Sequence, residues 1–127
     1  MSKVRILVVD DNPTNLKLVS DLLAWSGYQV SSAVDAEQAL EVIQQAPPDL
    51  ILMDVALPGM DGLTLTRQLK AGEATKHIRI IALTAFAMKG DEQKALDAGC
   101  DGYISKPIDT RSLPDQVARL LNPNEQT

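Results

Sequence analysis

Short apolar runs alternate with amphipathic segments along the whole chain. The first run is almost entirely Ile, Leu and Val, which is typical of a parallel strand buried on both faces. The second run is shorter and more polar, which is typical of an edge strand. We predict five strands, over residues 4–9, 29–33, 50–53, 79–83 and 102–104.

Helix signals fill the segments between these runs. Asn12 before Pro13 indicates an N-cap followed by proline at the first helical position. Gly27 fits the C-cap of the same helix. We predict helices over residues 13–26, from 35 or 36 to the Pro47–Pro48 pair, over about 63–71 and 89–98, and between 109 and 121 with Pro114 in the first turn. Regular β/α alternation predicts an α/β fold, with a parallel sheet, right-handed crossovers and helices on both faces.

Composition narrows the class of protein. The 127 residues suit one domain, which we place at 1–121, followed by a flexible polar tail at 122–127. A net charge of -5 and 3% aromatic residues argue against direct binding to DNA or RNA. No apolar run is long enough for a membrane span, and the single cysteine, Cys100, cannot form an internal disulfide. We expect a cytoplasmic protein, and the Met1 start and polar tail favour a free-standing one.

Four of the apolar runs end at residues that can handle a phosphoryl group. They are Asp10 with Asp11, then Asp54, Thr84 and Lys106. Carboxyl ends of parallel strands share one edge of the sheet, where open α/β folds bind ligands. Clustered carboxylates repel one another unless a cation is present. Mg²⁺ suits such a cluster, and the backbone carbonyl of Ala56 can add a ligand.

Asp54 can also act chemically. A carboxylate is a covalent nucleophile toward phosphorus and forms an aspartyl phosphate. Lys106 offers a compact positive charge and Thr84 a hydroxyl donor for the equatorial oxygens of the transferred group. Each residue alone has an ordinary explanation as a cap, a turn or a surface group. Their coincidence at strand ends is what indicates phosphoryl transfer.

The motifs at these positions resemble the receiver domain of two-component response regulators. They are the segments 6–12, 52–54, 57–62, 83–85 and 106–107, and the similarity extends from about residue 3 to 121. Segments 84–92, 99–100 and 103–108 are especially similar to those of single-domain cell-cycle regulators and of receivers attached to hybrid histidine kinases. The resemblance implies a CheY-like, flavodoxin-like (βα)₅ doubly wound sheet with strand order 2-1-3-4-5.

The resemblance also implies a role for each residue at the predicted edge. Asp54 is then phosphorylated from a phosphohistidine on a histidine kinase or a histidine phosphotransfer protein, as one step of a phosphorelay. Asp11, Asp54 and the carbonyl of Ala56 bind Mg²⁺, or Mn²⁺ in its place, and Asp10 binds it through water. The protein catalyses its own phosphorylation and dephosphorylation and has no other enzymatic activity.

A switch follows from the same resemblance. Thr84 and Lys106 hold the phosphoryl oxygens, and the Lys106–Pro107 peptide bond is cis. We predict that Thr84 moves toward the phosphate and that Tyr103 turns inward, which remodels the surface of the fourth helix, fifth strand and fifth helix. A downstream protein of unknown identity would bind there, and the chain is either a monomer or a phosphorylation-dependent dimer.

The first helix carries two apolar stripes. Leu16, Val19 and Leu23 form the predicted core stripe, and the roughly opposite stripe holds Asn15, Leu18, Leu22 and Trp25. This second stripe either packs under the fifth helix or, through Asn15, Leu18 and Leu22, docks the helical bundle that presents the phosphohistidine. Met88 and Tyr103 complete the predicted partner-binding set.

Two other functions are open to this sequence. An aspartyl phosphohydrolase of the haloacid dehalogenase type has similar chemistry, but it carries a second Asp two residues after the nucleophile, where this chain has Ala56. The other is a scaffold that no longer needs phosphate. The intact acidic set argues against it. We interpret His77 as a solvated loop residue and Cys100 as a small buried one.

Overall fold

A computed structural model gives the structure of residues 4–55, 60–84, 89–105 and 108–121, without the side chains of 89–92. Within these ranges five strands alternate with five helices: β1 (Arg5–Val9), α1 (Pro13–Trp25), β2 (Gln29–Ala33), α2 (Ala36–Gln45), β3 (Leu50–Asp54), α3 (Gly62–Ala71), β4 (Arg79–Thr84), α4 (Lys89–Ala98), β5 (Gly102–Ser105) and α5 (Leu113–Leu121). The strands form one parallel sheet in the order β2-β1-β3-β4-β5. The predicted fold class, the strand order and the edge position of β2 are confirmed.

The helices cover both faces of the sheet. Successive side chains of a strand point to opposite faces, so Ile6 and Val8 of β1 pack with α1 and α5, whereas Leu7 and Val9 pack with α2, α3 and α4. Every residue of β3 is buried, as expected for the central strand of a sheet covered on both sides. Among the helices described, none is long and apolar enough to cross a membrane.

Local capping fixes the helix that follows β1. The Asn12 side-chain oxygen accepts hydrogen bonds from the amides of Thr14 at 2.9 Å and Asn15 at 3.1 Å. Two of the first unpaired N–H groups of α1 are thereby satisfied. Gly27, just past the helix, has a φ of 99°, a conformation that glycine adopts without a steric penalty. Both predicted ends of this helix are confirmed.

The structure moves several predicted boundaries. β3, β4 and β5 each continue one residue further, because Asp54 pairs with Leu83 and Thr84 with Ser105. α3 begins one residue earlier, at Gly62, because the Asp61 carboxylate accepts from the Thr64 amide at 2.8 Å and caps the helix. α5 begins at residue 113, after a turn, so Pro114 does lie in its first turn. The predicted tail, 122–127, lies outside the described residues.

Candidate functional site

The carboxyl ends of β1, β3 and β4 lie side by side. Val9 is in register with Met53, so Asp10 and Asp54 follow at the same level on neighbouring strands. Asp54 is itself in register with Leu83, and Thr84 is the next residue of β4. The predicted juxtaposition of these strand ends is therefore present in the folded chain.

Three carboxylates meet at this edge. One oxygen from each of Asp10, Asp11 and Asp54 lies within 4.8 Å of the others. Asp10 is 0% exposed and Asp54 4%, whereas Asp11 is exposed. Oxygen donors at this spacing suit a hard divalent cation, which would offset the repulsion between the negative charges. These residues therefore fit Mg²⁺, with Asp11 on the solvent side.

The turn after β1 fixes the position of Asp10. Its Oδ1 accepts a hydrogen bond from the Asn12 amide at 2.9 Å. Its own amide donates to the Ala33 carbonyl of β2 at 3.1 Å, so the sheet ladder continues through it. Since Asn12 also caps α1, the helix cap and the carboxylate belong to the same tight turn.

The first turn of α3 supports Asp54 from the other side. The Gly62 amide donates to the Val55 carbonyl at 3.4 Å, and the Val55 amide donates to the Leu83 carbonyl of β4 at 3.2 Å. Sequence reasoning assigned Gly62 to a loop and missed this contact. The Asp61-Gly62 pair was the available signal, because Asp before a helical pattern is a common N-cap.

The predicted switch residues lie on adjacent strands. Thr84 is 5% exposed at the end of β4, and Tyr103 is 38% exposed on β5, in register with Ala82. The proximity of a buried hydroxyl and an accessible aromatic ring suits the predicted exchange. Lys106, the carbonyl of Ala56 and Met88 lie outside the described residues, as does the Lys106–Pro107 bond, so their roles stay predictions.

The second stripe of α1 divides into two parts. Leu22 is half-buried and packs into the apolar cluster beneath α1 and α5, as the packing interpretation expected. Leu18 is 39% exposed, and Asn15 is half-buried near the acidic edge. Leu18 also lines an open groove of about 500 Å³, with Pro13, Thr14, Lys17 and Asp21. Leu18 thus stays available to a partner, and Leu22 is largely committed to the core.

Two titratable residues lie away from this edge. His77 is exposed and Cys100 is 6% exposed, so both interpretations of these residues are confirmed. The Cys100 thiol donates to the Thr66 hydroxyl oxygen at 3.9 Å. Burial raises the pKa of this thiol, and the Thr66 hydrogen bond lowers it by a smaller amount. The thiol therefore stays protonated and packs as a small apolar group.

Comparison with known proteins agrees with this geometry. The family model for the response regulator receiver domain matches residues 6–118. The chain is 48% identical over 116 residues to the polar-differentiation response regulator DivK of Brucella ovis, covering 91% of this chain and 94% of that one.

Solved structures give the same result. Chemotaxis response regulator CheY4 of Vibrio cholerae superposes with a TM-score of 0.88 at 28% identity, covering 94% of this chain and 99% of that one. The receiver domain of a sensor histidine kinase from Pseudomonas aeruginosa superposes with a TM-score of 0.85 at 36% identity, covering 95% and 99%. That structure holds a magnesium ion coordinated in its active-site cleft.

Fold and site together define a phospho-accepting switch of the CheY-like class. The chain belongs to the response regulator receiver family and resembles the single-domain DivK proteins within it. Its acidic cluster of Asp10, Asp11 and Asp54 lies in the pocket where receiver domains bind Mg²⁺.

Proposed function

We propose that this protein is a single-domain phosphorelay regulator that accepts a phosphoryl group on Asp54. The observation that carries the proposal is the meeting of Asp10, Asp11 and Asp54, with one oxygen of each within 4.8 Å of the others, at the carboxyl ends of the adjacent strands β1 and β3. Asp54 is held by the central strand, and Thr84 follows on the next strand. This arrangement combines a nucleophile, a cation site and a hydroxyl donor.

The chemistry is an in-line displacement at phosphorus. A carboxylate oxygen of Asp54 bonds to the phosphorus as the N–P bond of a phosphohistidine breaks, and the electron pair stays on the imidazole nitrogen. When bound at this site, Mg²⁺ would neutralise charge on the phosphoryl oxygens. Asp11, Asp54 and the Ala56 carbonyl would hold the cation directly and Asp10 through water, and Thr84 donates to one phosphoryl oxygen. Lys106, directly after β5 in the chain, supplies the remaining positive charge. Hydrolysis of the acyl phosphate in the same site resets the switch.

The donor is the phosphohistidine of a histidine kinase or a histidine phosphotransfer protein. Its helical bundle docks on α1 through Leu18 and the exposed part of Asn15, with Leu22 contributing only at its edge. Output follows from Thr84 and Tyr103, whose movement changes the face formed by α4, β5 and α5, with Met88 nearby in sequence. A protein target binds that face, and DNA is not bound directly.

Intact mass spectrometry tests the acceptor. Incubation with acetyl phosphate and Mg²⁺ should add one phosphoryl group to the native chain and none to Asp54→Asn. Folding of the variant is checked by circular dichroism. An adduct on Asp54→Asn of equal yield, or none on a folded native chain with two different small donors, would refute the assignment.

A second experiment tests the docking surface. Leu18→Lys places a charge in the groove and should slow transfer from a cognate histidine kinase by roughly tenfold or more, which corresponds to about 1.4 kcal/mol. Phosphorylation by acetyl phosphate should be unchanged. Trp25→Lys is the matched control, because Trp25 is 89% exposed at the far end of the same helix. An equal effect of Leu18→Lys on both donors would mean that it damages the site rather than docking.

A further inference from the structure

The first residue of α3 packs directly on the main chain of Asp54. A Cβ atom built on Gly62 would lie 2.3 Å from the Asp54 carbonyl oxygen, 3.0 Å from its carbonyl carbon and 2.9 Å from Cγ of Met53. Two of these three atoms are backbone, so no side-chain rotation relieves the contact. Only glycine allows α3 to approach the strand this closely.

Neither partner in this contact is free to move away easily. β3 is the central strand of the sheet, paired with β1 on one side and β4 on the other. The start of α3 is fixed by the Asp61 cap, and the Thr66 hydroxyl donates to the Gly62 carbonyl at 2.8 Å. Leu65 and Thr66, one turn further on, are 0% exposed. A displacement forced at Gly62 must therefore be shared between α3 and the end of β3.

We propose that Gly62 is a positioning residue for phosphoryl transfer. Its missing side chain lets the first turn of α3 support the main chain of Asp54, which sets the acceptor carboxylate relative to Asp10 and Asp11. The proposal rests on the function proposed above. Any residue with a Cβ must move helix or strand by at least about 0.7 Å, the difference between 2.3 Å and the 3.0 Å limit for such contacts. Misplacement by about 1 Å can reduce a rate by roughly 10²-fold.

Gly62→Ala tests the proposal, with Gly72→Ala as its matched control. Gly72 is the C-cap of the same helix, and its added Cβ would lie 2.7 Å from a side-chain hydroxyl, that of Thr75. Three quantities are measured for each folded variant: the midpoint of thermal unfolding, the Mg²⁺ dissociation constant, and the phosphorylation rate with acetyl phosphate at saturating Mg²⁺. Gly62→Ala should lower the rate by about 10- to 100-fold and weaken Mg²⁺ binding. Gly72→Ala should change only the unfolding midpoint.

A gentler pair of variants applies if Gly62→Ala does not fold. Asp61→Ala removes the cap of α3, and Asp35→Ala removes the equivalent cap of α2, where Asp35 accepts from the Gln38 amide at 2.9 Å. Each should lower the midpoint of thermal unfolding by a similar amount, because each removes one N-cap hydrogen bond. Asp61→Ala should also slow phosphorylation several-fold, and Asp35→Ala should not. Asp61→Asn, which keeps a capping oxygen and removes the charge, should restore the rate.

The outcomes separate this proposal from the function on which it rests. If the native chain takes no phosphoryl group, the proposed function fails. If the native chain is phosphorylated and folded Gly62→Ala keeps the native rate and Mg²⁺ affinity, Gly62 is merely structural and the positioning role is refuted. Equal rates in Asp61→Ala and Asp35→Ala refute it in the same way.

Discussion

Replacing Asp54 by asparagine should stabilise the protein when no divalent cation is present. The ligand oxygens of the three carboxylates lie within 4.8 Å. At an effective dielectric constant of about 20, two unit charges at that separation repel by about 3.5 kcal/mol. Asp54→Asn removes its repulsion with buried Asp10 and its weaker, solvent-screened repulsion with Asp11. Contacts of Asp10 and Asp54 with other groups offset part of this, so we expect a net gain of about 1–2 kcal/mol in the free energy of unfolding.

Added Mg²⁺ should remove most or all of this difference in stability. A ligand present at a hundred times its dissociation constant stabilises a folded protein by about 2.7 kcal/mol. The native chain should gain this amount, because its three carboxylates can all serve the cation. Asp54→Asn loses one anionic ligand and should gain less than about 1 kcal/mol. The native chain therefore gains at least about 1.7 kcal/mol relative to Asp54→Asn, which offsets most or all of the variant's advantage of about 1–2 kcal/mol.

Urea denaturation followed by circular dichroism measures both differences, once in a chelator and once in saturating Mg²⁺. Asp97→Asn serves as the control. Its exposed carboxylate accepts a hydrogen bond from Gln93 at 2.8 Å on α4, away from the cluster, and asparagine keeps the accepting oxygen. The control should match the native chain under both conditions. If Asp54→Asn is less stable than the native chain in the chelator, repulsion within the cluster does not govern stability, and the reasoning fails.

Three further predictions concern other parts of the molecule. Burial raises the pKa of the Cys100 thiol, so the stability that this shift provides is complete below the unfolded pKa and is lost as pH rises through the folded pKa. Above pH about 8.5, Cys100→Ala should therefore lose less stability with rising pH than the native chain. Burial also raises the pKa of Tyr28, which accounts for part of the loss that remains in the variant. Arg79→Met removes a 2.8 Å hydrogen bond to the Leu120 carbonyl near the end of α5 and should cost about 1.5–3 kcal/mol in urea denaturation; an unchanged midpoint would show that water replaces the guanidinium. Trp25→Ala, at an 89% exposed position, should shift the free energy of unfolding by no more than about 0.5 kcal/mol, and a larger loss would reveal a packing role.

The sequence by itself determined the elements and the chemistry they carry. Strand and helix periods, the Asn12 cap and Gly27 are local signals, because each depends on residues within a few positions of one another. They placed the elements to within a few residues. Placing Asp10, Asp54 and Thr84 at strand ends was enough to predict their meeting, since parallel strands share one edge.

Tertiary structure alone decided which contacts distant segments make. The strand order was predicted from the family resemblance and not from periodicity, because the hydrophobic pattern within one strand does not indicate which other strand pairs with it. Whether Leu18 or Leu22 remained accessible depended on where α5 packed. The Lys70 ammonium donates hydrogen bonds to the Ile78 carbonyl at 2.8 Å and to the Asp101 carboxylate at 2.9 Å. These contacts join α3 to the segments before β4 and β5, and no local sequence pattern predicts them.

The contact between Gly62 and the Asp54 carbonyl is of the same kind. In the sequence, Asp61-Gly62 has the composition of a turn, and only the packing of a helix start against a central strand makes that glycine part of the site. Local conformational preferences depend on residues that are neighbours in the sequence. The approach of two backbones depends on the shape of everything packed between and around them.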